Sequence, residues 1–66
     1  MNTLYAVTPS FGYTPCAPRV YVRASNWQAA VTVAQAITPN VHSCRPTHWP
    51  VALVTHAPPN ATVHGA

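Results

Sequence analysis

The fold is decided by residues 19–37, RVYVRASNWQAAVTVAQAI, in which two hydrophobic periods follow one another. Over residues 19–24, valine and alanine alternate with tyrosine and arginine, which predicts a strand with one apolar and one polar face. Residues 25–37 then carry apolar side chains at every third or fourth position, which predicts a helix. A strand that runs directly into a helix is therefore expected at the centre of the fold.

The expected limits of the helix come from a capping pattern and a proline. Ser25 and Gln28 have the spacing of a capping box, in which each side chain accepts a hydrogen bond from the other residue's backbone N–H. Pro39 opposes continuation, so the helix is expected to end near Ile37. The side chains predicted to face the core are Trp27, Ala30, Val31, Ala34 and Ile37.

Extended segments and rigid loops flank this centre. Residues 3–8 and 51–56 are rich in β-branched and aromatic side chains and predict strands, and residues 41–45 predict a weaker extended segment. Residues 9–18 contain three prolines and one glycine, which favours an ordered hairpin loop. Residues 46–50 begin and end with proline and predict a rigid turn.

The predicted order is β-β-α-β(-β), an α+β fold with one helix packed on a short, mostly antiparallel sheet. A single domain is expected over residues 1–57, followed by a flexible C-terminal tail over residues 58–66. Over residues 3–37 this order resembles many short accessory proteins encoded by phages and mobile elements. The resemblance is one of architecture, and it implies an inhibitor or accessory factor.

The charge composition is unusual, because the chain has no Asp, no Glu and no Lys, and its fixed charges are three arginines. Acid–base catalysis by paired carboxylates, a Ser-His-Asp triad and mimicry of DNA by carboxylates are all excluded. We therefore expect no enzymatic activity. The missing acids also remove repulsion from a polyanion or an acidic protein, although a biased reading frame would produce the same composition.

The histidines and cysteines allow a zinc site to be considered. His42, Cys44 and His48 lie within seven residues, and Cys16 or His56 would supply a fourth ligand. Because the chain lacks a C-x-x-C pair, surface histidines without metal are expected, and no cofactor is predicted. The two cysteines are expected to stay thiols in a cytoplasm and to pair in an oxidising compartment.

Neither a secretory signal nor a membrane span is predicted from the sequence. The uncharged residues 24–43 contain several polar side chains and a proline, which disfavours insertion in a bilayer. A cytoplasmic location is expected, in the host cell if the protein is encoded by a virus.

Aromatic and arginine side chains on proline-rich loops are the best candidates for partner contacts, because these residue types dominate interface energetics. The candidate contact residues are Phe11, Tyr13, Arg19, Tyr21, Arg23, Arg45 and Trp49. The alternative for the loop aromatics is that they fold back over the sheet and extend the core.

The leading hypothesis is a non-enzymatic module that binds a larger protein or assembly, with an acidic surface on that partner as one option. One alternative is a nucleic-acid-binding accessory protein that stacks a base on Tyr21 and neutralises phosphates with Arg19 and Arg23. Another is a structural subunit of a virus particle. Homo-oligomerisation stays open.

Overall fold

The computed structural model describes residues 2–41 and 44–66, which form one helix, a four-stranded sheet and a separate two-stranded hairpin. In chain order the elements are β1 (Thr3–Val7), β2 (Ser10–Phe11), β3 (Thr14–Pro15), β4 (Val20–Ala24), α1 (Trp27–Val41), β5 (Val51–Leu53) and β6 (Val63–Gly65). The predicted class, one helix packed on a small, mostly antiparallel sheet, is confirmed. Within these two stretches, no helix has the length and apolar character needed to cross a membrane.

The strand order of the main sheet is β5-β1-β4-β6, in which β1 pairs antiparallel with both β4 and β5. In the β1–β4 register, Tyr5 lies opposite Val22 and Ala6 lies opposite Tyr21. Because neighbours opposite each other share a face, Val22 lies on the face that α1 covers, whereas Tyr21 lies on the other face. We call the second one the helix-free face. The alternation expected for β4 is confirmed.

The core is small because short side chains build it. Its fully buried members are Val7, Val22, Ala24, Ala30 and Ala34. The two helix alanines are four residues apart and allow the helix backbone to approach the sheet closely. So little apolar volume implies a low free energy of unfolding, as in most domains of this size.

The predicted burial of Trp27 is wrong, because its side chain is 54% exposed. The buried stripe of α1 runs through Ala30, Ala34 and Thr38, and Val31 is only half-buried. Closely packed alanines leave no room for an indole beneath the helix. Trp27 instead lies in a surface groove beside Leu53, at the β5 edge of the sheet.

The helix begins one residue later than the capping pattern predicted. The Oδ1 atom of Asn26 accepts a hydrogen bond of 2.8 Å from the backbone N–H of Ala29, so Asn26 is the N-cap and Trp27 is the first helical residue. Asn competes well with Ser for this position, and here its side chain is the one bonded to the first turn. The Ser25–Gln28 capping box is therefore wrong.

The helix also ends later than predicted, at Val41 instead of near Ile37. Thr38 is only 2% exposed, so its burial against the sheet anchors a further turn. Pro39 has no backbone N–H, so this turn lacks the one helical hydrogen bond that would reach the carbonyl of residue 35. Tertiary packing offsets that loss. The extended segment predicted over 41–45 is absent at Val41, which is helical, while residues 42 and 43 lie outside the described residues.

The C-terminal residues do not form the expected tail. Val63–Gly65 is the edge strand β6, which pairs parallel with β4 and places His64 opposite Val22. A backbone hydrogen bond of 3.0 Å from the N–H of Ala66 to the carbonyl of Arg23 continues this pairing. A segment of three residues is too short for its sequence alone to predict a strand. The pairing of β6 therefore depends on the free edge of β4.

Candidate functional site

The two proline-rich loops join to form one surface. The backbone N–H of Ser10 donates to the carbonyl of His48 at 2.9 Å, and the N–H groups of Thr47 and His48 donate to the carbonyl of Ser10 at 2.8 and 3.0 Å. We call residues 9–18 together with residues 44–50 the loop surface. Because backbone hydrogen bonds hold both segments, the loop surface is an ordered part of the fold.

The first half of the loop surface is a tight hairpin. Ser10 pairs with Pro15 and Phe11 with Thr14, which leaves Gly12 and Tyr13 as the two turn residues. Gly12 has a φ of +63°, and positive φ at the first central position alone is the pattern of a type II′ turn. Its N–H donates to Thr47 Oγ1 at 2.9 Å, so the second loop also supports the turn.

Two aromatic side chains project from this hairpin. Phe11 is 64% exposed and Tyr13 is fully exposed. The Tyr13 ring lies nearly parallel to the imidazole of His48, with the ring centroids 6.5 Å apart. Trp49, the third predicted loop aromatic, is half-buried and packs against the core. Phe11 and Tyr13 therefore face solvent, where a partner can contact them. Trp49 instead folds back and packs the second loop against the core, as the alternative interpretation expected.

The arginines lie in two places. Arg19 and Arg23 are exposed, and the alternation of β4 places Arg23 on the helix-free face with the half-buried Tyr21. Arg19 lines a shallow cavity with Ala6 and other residues of the same face. Arg45 is exposed within the loop surface. Because the chain has no Asp or Glu, no side-chain carboxylate of its own neutralises these guanidinium groups.

A cavity of about 620 Å³ opens between the end of α1, the start of β4 and the segment that leads into β6. Its lining residues are Pro18, Arg19, Val20, Tyr21, Ile37, Thr38, Asn60, Ala61, Thr62 and His64. The Oγ1 atom of Thr38 is buried and has no hydrogen-bond partner among the described residues. The cavity could not be predicted from the sequence, since its lining includes His64 of β6 and the residues just before that strand.

The predicted zinc ligands are only partly described. His42 lies outside the described residues, and among the remainder no three histidine or cysteine side chains come together. Cys16 and Cys44 are half-buried free thiols. Hydrogen bonding with the Cys44 side chain, followed by burial, raises the pKa of Cys16 above its usual range, because both favour the protonated thiol.

Comparisons with protein-family models, with curated proteins and with solved structures find no match for this chain, so its function is inferred from its own residues.

Proposed function

We propose that this chain is a non-enzymatic interaction module that binds a larger protein through its loop surface. The observation that carries the proposal is the exposure of Phe11 and Tyr13 on a hairpin that backbone hydrogen bonds hold to residues 47 and 48. Large apolar side chains in contact with water cost free energy unless a partner covers them. Tyrosine in particular gives a large contact area with few rotatable bonds.

The order of the hairpin favours binding, because docking of an already ordered loop loses little conformational entropy. The Gly12 turn, the hydrogen bond to Thr47 and the bounding prolines restrict the free state. Arg45 adds an exposed guanidinium without an internal carboxylate partner, which suits a partner with an acidic surface. The role we propose is that of an accessory or inhibitory protein of the phage type.

A capture experiment tests this function. Tagged wild-type chain, Tyr13→Ala and Leu53→Ala are incubated with host lysate that has been treated with nuclease. Leu53 is the matched control, since its side chain is 70% exposed but lies outside the loop surface. We expect a stoichiometric protein partner with the wild type and Leu53→Ala, and its loss with Tyr13→Ala. Equal capture by all three chains would contradict a role for the loop surface.

One observation favours nucleic acid as a second candidate partner. Tyr21 and Arg23 share the helix-free face, and Arg19 borders it, so an aromatic ring lies between two arginines that no side-chain carboxylate of the chain neutralises. Such a strip can stack one base and contact phosphates on either side. Three arginines limit the electrostatic contribution, so the slope of log affinity against log salt should be no steeper than about −3. Nuclease-sensitive capture that Arg23→Ala abolishes would favour this candidate.

A further inference from the structure

The cavity between β4, α1 and β6 is large enough to hold a small molecule. Its volume of about 620 Å³ lies within the range of about 300–1,000 Å³ that is typical of ligand pockets. β4 and β6 run parallel, with Tyr21 opposite Val63, so both strands begin at the same end of the sheet. Ile37 and Thr38, near the end of α1, form a further wall there. Three segments that are distant in sequence therefore line one open cavity.

A single fixed charge lies at this cavity. Among the described residues that line it, Arg19 alone carries such a charge. The chain has no side-chain carboxylate that could neutralise the guanidinium group. The end of α1 contributes an opposing partial charge of about half an elementary charge, which is smaller than the full charge of the guanidinium. The net field therefore attracts an anion, and it suits a ligand with one negative charge.

The rest of the lining combines apolar walls with hydrogen-bonding groups. Val20, Ile37 and Ala61 are half-buried, so a ligand that covers them removes further apolar surface from water. His64 lies opposite Val22 and shares the face that α1 covers, so its half-buried imidazole adds a hydrogen-bonding group to the same wall. This lining favours an anion with an apolar body over a bare inorganic ion.

A carboxylate is the anion that fits this charge. Its two oxygens match the fork of the guanidinium group in a bidentate pair. A phosphate monoester carries a charge of about −1.5 to −2 near neutral pH, which a single arginine does not balance. The class of ligand indicated by the cavity is therefore a small organic carboxylate.

We propose that the cavity between β4, α1 and β6 binds a small organic carboxylate. The Arg19 guanidinium pairs with the carboxylate, and the apolar body of the ligand lies against Val20, Ile37 and Ala61. This site does not depend on the proposed function of the loop surface, and its test requires no protein partner.

Titration of the isotope-labelled full chain with naphthoate tests the site, because this anion joins one carboxylate to a rigid apolar body. Two-dimensional NMR spectra record the shifts of the backbone amides at each concentration. We expect saturable shifts that are concentrated at residues 19–21, 37–38 and 60–64. Shifts that do not saturate, or that are concentrated instead at the groove beside Trp27 and Leu53, would overturn the proposal.

Two comparison ligands separate the contributions of charge and apolar contact. Naphthamide keeps the shape of naphthoate but has no charge, and it should bind at least about tenfold more weakly because it forms no charge-assisted pair with Arg19. Acetate keeps the carboxylate but lacks the rings, and it should also bind at least about tenfold more weakly. Equal affinity of naphthoate and either comparison ligand would overturn the proposal.

Variants of the chain test the same two contributions from the side of the protein. Arg19→Gln should weaken the binding of naphthoate at least about tenfold. Arg23→Gln is the matched control and should keep the wild-type affinity, because Arg23 is also exposed but lies outside the cavity lining. Ala61→Leu keeps every arginine but narrows the cavity, so it should weaken binding as well.

Amide spectra as well dispersed as those of the wild type establish that each variant is folded, and the comparison with naphthamide needs no variant. Wild-type affinity in folded Arg19→Gln or Ala61→Leu would overturn the proposal. An equal loss of affinity in Arg23→Gln and Arg19→Gln would also overturn it, because the effect would then come from net charge and not from the cavity.

Discussion

The ring of Tyr13 lies nearly parallel to the imidazole of His48, with 18° between the ring planes and 6.5 Å between the centroids. The contact joins the turn of the hairpin to the second loop, 35 residues away in sequence. Tyr13 stays fully exposed, so the contact orients the tyrosine ring without burying it. An aromatic side chain placed in this way contributes little to folding and is available to a partner.

Stability should depend on Val22 far more than on Trp27. Val22 is fully buried, so Val22→Ala should lower the free energy of unfolding by about 2 kcal/mol through lost transfer energy and a residual cavity. Trp27 is 54% exposed, and Trp27→Ala should cost about 1 kcal/mol or less. Urea unfolding of both variants measures the difference. A larger loss for Trp27→Ala would show that the indole lies in the core.

The N-cap can be identified by a matched pair of variants. Asn26→Ala removes the acceptor for the N–H of Ala29 and should cost about 1 kcal/mol. Ser25→Ala, one residue earlier and also exposed, should change stability by less than about 0.5 kcal/mol. Thermal unfolding of the two variants provides the measurement. The reverse ranking would restore the Ser25–Gln28 capping box.

The buried hydroxyl of Thr38 should not contribute to stability. It has no partner among the described residues, so it bears a desolvation penalty without a hydrogen bond in return. Thr38→Val keeps the shape and the β-branch, and it should leave stability unchanged or raise it by about 1 kcal/mol. Thr38→Ala serves as the control, because loss of the buried methyl group should destabilise. Destabilisation by Thr38→Val would mean that the hydroxyl is bonded.

Alkylation of Cys16 should require a higher pH in the folded chain than in the unfolded chain, whose thiol pKa is about 8.5. The hydrogen bond with Cys44 and burial raise the pKa of Cys16 in the folded state. The folded state therefore binds this proton more tightly. Its contribution to stability is complete below the unfolded pKa and is lost as pH rises through the folded pKa. Rates of iodoacetamide modification, with and without urea, report the two profiles, and coincident profiles would contradict the shift.

The central strand and helix could be predicted from the sequence because both are local patterns. The alternation of Val22 and Arg23 predicted the correct buried face of β4. The helical spacing correctly predicted burial of Ala30 and Ala34 but not the exposure of Trp27. The bounds of the helix were less accurate, since the N-cap depends on which of two adjacent polar side chains reaches the first turn. The exposure of Trp27 depends on how closely the helix approaches the sheet, which no local pattern reports.

The candidate site was predictable residue by residue but not as an arrangement. Proline and aromatic content singled out both loops, yet the hydrogen bonds between Ser10 and His48 join segments that are far apart in sequence. Strand β6 escaped prediction for the same reason, because its pairing partner is the distant edge of β4.

The measurement that tests the loop surface most directly is the affinity of Tyr13→Ala for the protein that the wild-type chain captures, beside its free energy of unfolding. Because Tyr13 is fully exposed, the substitution should change stability by less than about 0.5 kcal/mol. Binding should weaken by about 2 kcal/mol or more, roughly thirtyfold in Kd. Unchanged affinity in a folded Tyr13→Ala chain would contradict the proposed function.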